Sequence, residues 1–467
     1  MKKILFVNPN YFDDVFDKSK ARAALSRNIT PLGLICAATP SVASGHAVEL
    51  LDLNSDNKGA ETLAKKLRDF KPDIVGITAT TATIKKAYDI ADMVKQNNDK
   101  TIVIVGGAHA SAMPAEVLNE SSIDCVAAGE GDFTVKRIAE EGLVPTIANI
   151  YFKQNGSIIA SHADCEIIND LDQLPFPAYQ LLDIKKYNLP NISSRKGPVG
   201  YFETSRGCYG KCIFCNKNIH GSRIRYKSPE RVVDEMDRMR RLGYMEMQII
   251  DDVFNANIKR ACEICELIIK RDLKLCWYTR GGLRVDTVSL DLFKAMKKAG
   301  CYRVPFGIES GSQRILDVLH KGITLDHAQR AVSLAKKAGL ETECYFVLGS
   351  PTETEDDIKK SIDFALKLNP DYVKFAILIP YPGTALFDTL NSQKRIKTKD
   401  WSKYNFAVSP KHIYEHDVLS WDTIDQFYIF SHKKYYFRLN YILSMALKTI
   451  YRGTFAGHAK AFIKTRW

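Results

Sequence analysis

The run Thr204-Ser205-Arg206-Gly207-Cys208-Tyr209-Gly210-Lys211-Cys212-Ile213-Phe214-Cys215 follows a short apolar segment and sets three cysteines in a Cys-x3-Cys-x2-Cys spacing. Three thiolates this close in sequence can surround one metal centre, and soft sulfur selects iron–sulfur clusters, zinc or copper(I). A [4Fe–4S] cluster normally takes four cysteines, so three leave one iron open to a substrate or cofactor. The competing reading is a closed zinc site with His220 as fourth ligand, since structural zinc is often held by three cysteines and a histidine. The surrounding pattern separates the two. A zinc staple serves a small module without a core, whereas these cysteines open a loop at the head of a long series of strand and helix units.

Downstream, strand patterns stand at Tyr201 to Thr204, Met245 to Ile250, Leu273 to Tyr278, Val304 to Ile308, Cys344 to Leu348 and Val373 to Ile379. The helices between them are punctuated. Ser228-Pro229 sets a cap before proline, Thr324 opens a helix that Gly339 ends, Gly300 stops the helix after Ser289, and Thr354 with Asp357 forms a capping-box pattern. Six such units predict a partial TIM-type (β/α)6 barrel over residues 196–395, a fold that places its chemistry at the carboxyl ends of its strands. The cysteines stand at the end of the first.

Upstream, residues 1–150 read as another α/β unit. Ile4 to Val7, Val48 to Leu51, Ile74 to Ile77, Thr101 to Val105 and Asp124 to Ala127 are strand patterns, separated by helical stretches such as Ala60 to Phe70 and Ile84 to Gln96. Strands alternating with helices predict a doubly wound, Rossmann-like parallel sheet with both faces covered. Ligands of such sheets lie beyond the carboxyl ends of the strands. Here those ends are small: Asn8-Pro9, Thr78-Ala79, Gly106-Gly107 and Gly129-Glu130-Gly131. One glycine pair only closes a turn, but four small ends in one sheet suit a large flat ligand. Over 151–195 the pattern turns irregular, and the spaced prolines of Leu174-Pro175-Phe176-Pro177 mark a linker. Residues 396–467 form a basic, aromatic-rich helical region.

A chain of 467 residues, 45% apolar and 26% charged, suits two or three globular units. Met1-Lys2-Lys3 precedes only four apolar residues, too few for a secretory signal. No apolar run approaches the roughly 18 residues of a spanning helix, so a cytoplasmic protein is expected. Eleven cysteines in such a chain argue for reduced thiols, some of them metal ligands, rather than a disulfide framework. Cys262 and Cys265 share a helical stripe with Ile258, Ala261, Ile268 and Ile269, which reads as core packing rather than a second cluster. The net charge of +12 is uneven: residues 426–467 hold eight Lys and Arg and no Asp or Glu.

The cysteine run resembles the signature of the radical S-adenosylmethionine (SAM) superfamily. Further segments resemble its cobalamin-binding branch. In the barrel these are Asp251-Asp252-Val253-Phe254, Arg284-Val285-Asp286, Gly307-Ile308-Glu309-Ser310-Gly311, Phe346 to Glu353 and Pro380-Tyr381-Pro382-Gly383-Thr384. Upstream they are Pro31-Leu32-Gly33-Leu34, Gly106-Gly107-Ala108-His109 and Gly129-Glu130-Gly131-Asp132. The likeness takes in the class B methyltransferases and the anaerobic magnesium-protoporphyrin ester cyclase group.

This resemblance implies that Cys208, Cys212 and Cys215 ligate three irons of a [4Fe–4S] cluster while the fourth binds SAM. It implies Phe214 against the adenine, Glu309 and Ser310 on the ribose or carboxylate, and the Gly349 region on the adenine side. Asp251 and Asp252 stand where the family contacts the SAM amino group, although its usual Gly-Gly-Glu is absent; a helix N-cap is the competing reading. Cobalamin is implied against Gly106, Gly107, Gly129 and Glu130. The Asp-x-His-x-x-Gly loop that gives many cobalamin proteins an axial histidine is missing, and His109 either faces the corrin or caps a helix.

The implied activity is reductive SAM cleavage with methylation of an unactivated carbon. The alternatives are a cyclase or oxidative outcome on the same cofactors, and a non-catalytic zinc or iron–sulfur protein. A flavodoxin- or ferredoxin-type electron donor and a small-molecule substrate follow from the resemblance, and a lipid-like substrate from the membrane reading of the tail. Nucleic acid is disfavoured despite the charge, because methylthio-transferring relatives carry three further cysteines in the first domain. Here that domain has Cys36, Cys125 and Cys165 without suitable spacing. In the tail, Phe427 to Phe462 interleave aromatics with Lys433, Lys434, Arg438, Lys448, Arg452 and Lys460. Such a segment either lies peripherally on the inner face of an anionic membrane or packs across the barrel with its lysines in water, and the second reading is favoured.

Overall fold

Aliphatic runs buried on both faces suit a parallel sheet. Strands β1 (Lys3–Asn8), β2 (Ala47–Asp52), β3 (Ile74–Thr78), β4 (Ile102–Gly106) and β5 (Cys125–Ala127) pair in parallel in the order β2-β1-β3-β4-β5. This computed structural model describes residues 1–10, 29–55, 58–161, 167–189, 193–405 and 409–464. The sheet does not end at residue 150. Strands β6 (Ile150–Gln154) and β7 (Ser157–Ala160) extend it in antiparallel fashion beyond β5, inside the stretch expected to be irregular. Asn155 and Gly156, both at positive φ, make the hairpin turn between them. Only Ile150 and Phe152 are buried there, so the apolar signal is two residues long.

The linker is fastened to both units. The Thr39 hydroxyl accepts from the Ala178 amide at 2.8 Å, Tyr187 donates to Asp52 at 2.8 Å, and Tyr179 donates to the Tyr201 carbonyl at 2.9 Å.

All six expected barrel strands are present, as β8 (Val199–Phe202), β11 (Glu246–Ile249), β12 (Trp277–Thr279), β13 (Arg303–Glu309), β14 (Glu341–Leu348) and β15 (Tyr372–Ile377). Between the first two lies a short hairpin, β9 (Ser205–Arg206) with β10 (Arg225–Tyr226). Parallel ladders join β8-β11-β12 and β13-β14-β15. Bridges from Trp277 to Cys301 and from Leu283 to Phe306 link the two sets into one open arc. Strand β12 starts later than its apolar pattern because Asp272, at φ 50°, turns the chain out of the preceding helix.

The expected caps are in place. Ser228, Thr324 and Ser289 accept from the amides of Arg231, His327 and Leu292, and Thr354 with Asp357 closes a capping box. Cys265 is buried in the core of helix Ile258–Lys270.

In the tail, helix Trp421–Tyr436 lies on β15, with Tyr436 bonded to Val373 and His432 edge-on to Phe375 at 5.4 Å. The cations Arg438, Lys448 and Arg452 bond Asn369, Asp371 and Glu341 at the barrel surface. Among the described residues no helix is long and apolar enough to cross a membrane.

Candidate functional site

The cysteine loop leaves β9 and returns on β10. Gly207, at φ 91°, makes the first turn, and a β carbon there would meet the Arg223 carbonyl at 2.2 Å. The Gly210 amide lies 3.4 Å from Cys208 Sγ, and a β carbon on Gly210 would sit 3.4 Å from Cys208 Sγ and 3.8 Å from Cys212 Sγ. Cys215 donates to Cys212; this bond, aided by the Lys321 charge, holds the Cys212 thiol down at about 6 against burial. Cys208 and Cys212 thus flank Gly210 and Cys215 joins Cys212, so one short loop supplies three soft donors of the kind that suits an iron–sulfur cluster. Arg284 flanks them, its guanidinium 5.0 Å from the Tyr209 ring and paired with Asp286 at 2.8 Å.

Glu309 ends β13 in the left-handed region at φ 72°, a conformation that costs a non-glycine residue about 1 kcal/mol or more. Its carboxylate pairs with Lys321 at 2.7 Å. A β carbon on Gly307 would meet that carboxylate at 2.6 Å and the Lys321 amine at 3.1 Å, so a side chain there would push against the pair. Burial alone would lower the Lys321 amine, yet Glu309 and the thiols of Cys212 and Cys215 raise it. Lys321 thus joins the cysteines to Glu309. It carries no motif of its own, and only its place three residues after a short helix and just before Gly322 could have drawn attention to it.

The other expected SAM contacts are engaged elsewhere. Asp251 accepts from the Thr204 amide and hydroxyl, each at 2.5 Å, and from Ser205 at 2.7 Å; burial pushes its carboxyl up while these bonds oppose it. Asp252 accepts from the Gly207 amide at 3.0 Å. Neither caps a helix, a role taken by Asn257. Both instead hold the start of the cysteine loop. Ser310 turns inward to Ser361 at 3.0 Å. Gly349, at φ 77°, is backed by Trp421 and Ile424 and donates to Glu353 at 2.6 Å. Phe214 is half-buried against the core.

In the first unit, Gly107, at φ 98°, presses against the Ala79 carbonyl, which a β carbon would meet at 2.8 Å. His109 caps nothing. It is fully buried, 3.2 Å from the Thr81 hydroxyl and edge-on to Trp401 at 5.0 Å, and burial lowers it to about 4. Glu130, expected beside the corrin, turns its carboxylate to Arg225 at 2.7 and 2.8 Å and to His220 at 2.9 Å. Burial would raise its acid group, but the bonds from His220 and Arg225 and the Arg206 charge hold it at about 2. Asp132 takes both Arg206 amino groups at 2.8 and 2.9 Å. Cys36 is half-buried and Cys125 buried, while Cys165 lies outside the described residues.

The carboxyl ends of the two sheets consequently face each other across the cysteine loop. A β carbon on Gly383 would touch Asn216 and Asn218 of that loop and Ala112 of the first unit within 3 Å. Small strand ends of this kind suit a large flat cofactor.

Two family descriptions match the chain: a B12 binding domain over residues 20–139 and the radical SAM superfamily over residues 202–365. The chain is 37% identical to an uncharacterized methyltransferase, PH0819, of Pyrococcus horikoshii, over 80% of this chain and 81% of that protein. It is 29% identical to the anaerobic magnesium-protoporphyrin IX monomethyl ester cyclase of Rubrivivax gelatinosus, over 87% of this chain and 73% of the relative. Its fold matches the radical SAM methyltransferase TsrM of Kitasatospora setae, solved with cobalamin and a [4Fe–4S] cluster, with a TM-score of 0.69 at 20% identity over 84% of this chain and 78% of that one. With its cysteine loop facing a cobalamin-type sheet, the chain belongs to the radical SAM superfamily, in the branch whose enzymes use a [4Fe–4S] cluster, SAM and cobalamin.

Proposed function

We propose that this enzyme methylates an unactivated carbon of a small or lipid-like molecule. When bound, the cluster and SAM supply a one-electron reductive cleavage, and cobalamin supplies a methyl carrier. The observation that carries the reading is a single loop in which Cys208 and Cys212 flank Gly210 and Cys215 joins Cys212, beside the Glu309–Lys321 pair and opposite the glycine-lined strand ends.

In this reading the three thiolates hold the cluster, and Glu309 and Lys321 bind the charged groups of SAM, with Phe214 toward the adenine. Asp251 and Asp252 keep the loop in place, and Ser310 and Gly349 support the barrel wall behind it. Gly106, Gly107 and Gly129 let the corrin approach the backbone of a first domain ending near residue 160. A flavodoxin- or ferredoxin-type protein delivers the electron.

The similarity to the cyclase favours a second reading, in which the same cofactors form a ring without methyl transfer. Anaerobic turnover of candidate substrates with methyl-labelled SAM separates the two. Label in the product is the expected result, and 5′-deoxyadenosine with an unlabelled product selects the cyclase reading.

The tail adds a proposal about location. Leu439, Leu443, Leu447 and Ile450, from 54 to 71% exposed, form an outward stripe on helix Leu439–Tyr451. The stripe supports peripheral contact with a lipid surface, and with it an apolar substrate. Co-sedimentation with anionic liposomes should fall on deletion of residues 430–467, and unchanged binding would refute the contact.

A further inference from the structure

We infer that Glu130 and Asp132, on the loop that ends β5 of the cobalamin-binding unit, are positioning residues for the cluster, and that through Arg225 and Arg206 they couple corrin binding to cluster binding. The inference rests on the cofactor assignment above.

The cysteine loop is framed by two strands of only two residues each, in which Arg206 pairs with Arg225. So short a ladder holds little by itself. Both guanidinium groups are buried, with side chains 3% and 2% exposed. Buried cations need close anionic partners, and the barrel's own contribution at this place is Glu203, 2.6 Å from Arg206. The remaining carboxylates come from the other domain: Asp132 takes Arg206 through two bonds, and Glu130 takes Arg225 through two more while also holding His220. Among the described residues, the hairpin carrying the cysteines therefore completes its charge balance only when docked on the β5 loop.

That loop faces two ways. Its side chains at 130 and 132 go to the cysteine hairpin. Its glycines at 129 and 131 stand at the carboxyl end of a strand, where ligands of such sheets lie, and a β carbon on Gly131 would meet nothing nearer than 3.9 Å. A change in the loop's position on corrin binding is thus transmitted to Arg206 and Arg225, and by linkage the effect is reciprocal.

The test uses the full chain, prepared anaerobically with the cluster reconstituted and, separately, freed of iron. Hydroxocobalamin affinity is titrated on both forms. The cluster-bearing form should bind more tightly, by about five-fold or more, the lower end of measured couplings. In the double variant Glu130→Gln/Asp132→Asn the ratio should fall to about one. Arg225→Lys, which keeps the charge and loses the two-pronged bond, should give an intermediate ratio and decides the matter if the double variant does not fold. A ratio of one in the unaltered protein, or the same ratio in every variant, overturns the inference. Absence of both iron and corrin from the unaltered protein would instead overturn the cofactor assignment.

Discussion

Lys321 concentrates the chemistry at the residue scale, because it compensates Glu309 and acts on the cluster thiols at once. Lys321→Met would leave the Glu309 carboxylate buried without a cation. Loss of a bond to a charged group costs about 1.5–3 kcal/mol, so SAM affinity measured by equilibrium dialysis should weaken roughly ten- to hundred-fold with iron content unchanged. Unaltered affinity would remove Lys321 and Glu309 from the cofactor site. The cysteine loop was legible in the sequence because residues of one loop show their spacing locally. The place of Glu309 at the end of β13 was legible through the flanking glycines. Lys321, Arg206 and Arg225 were not, because their partners lie 12, 74 and 95 positions away in the chain.

At the scale of elements, the helix starts were read from caps and were found as expected. Thr354 both accepts from the Asp357 amide and donates to its carboxylate. Thr354→Ala should therefore lower stability by about 1 kcal/mol in denaturant unfolding while leaving iron content intact, and loss of iron would mean that this helix supports the cluster directly. The hairpin of β6 and β7 escaped the sequence because a strand pair with two buried residues has almost no periodic signal. Asp251-Asp252 read equally well as a cap or a cofactor contact. Their actual partners, Thr204, Ser205 and Gly207, come from the neighbouring strand end, which no local pattern reveals.

For the whole molecule, two α/β units were legible from their alternating strands and helices, but their mode of docking was not. It depends on buried ion pairs at the mouth of the cysteine loop, and on Trp401, which leaves the C-terminal region to bond Glu116 and abut His109. Glu130 is held near 2, below its ordinary 4.5. Its contribution to docking is fully present above about pH 4.5 and is lost as pH falls toward 2. Trp401 fluorescence, followed from pH 6 downward, should report opening in that window, and Glu130→Gln should remove this component; the same profile in both would contradict it. Cys208, Cys212 and Cys215 are proposed to hold a cluster that cleaves SAM. The most direct measurement is iron content and 5′-deoxyadenosine formation on reduction of anaerobically prepared protein, with and without replacement of all three cysteines by alanine. About four irons per chain and SAM cleavage in the unaltered protein, both lost in the variant, are predicted; a variant that keeps its iron and still cleaves SAM would contradict the account.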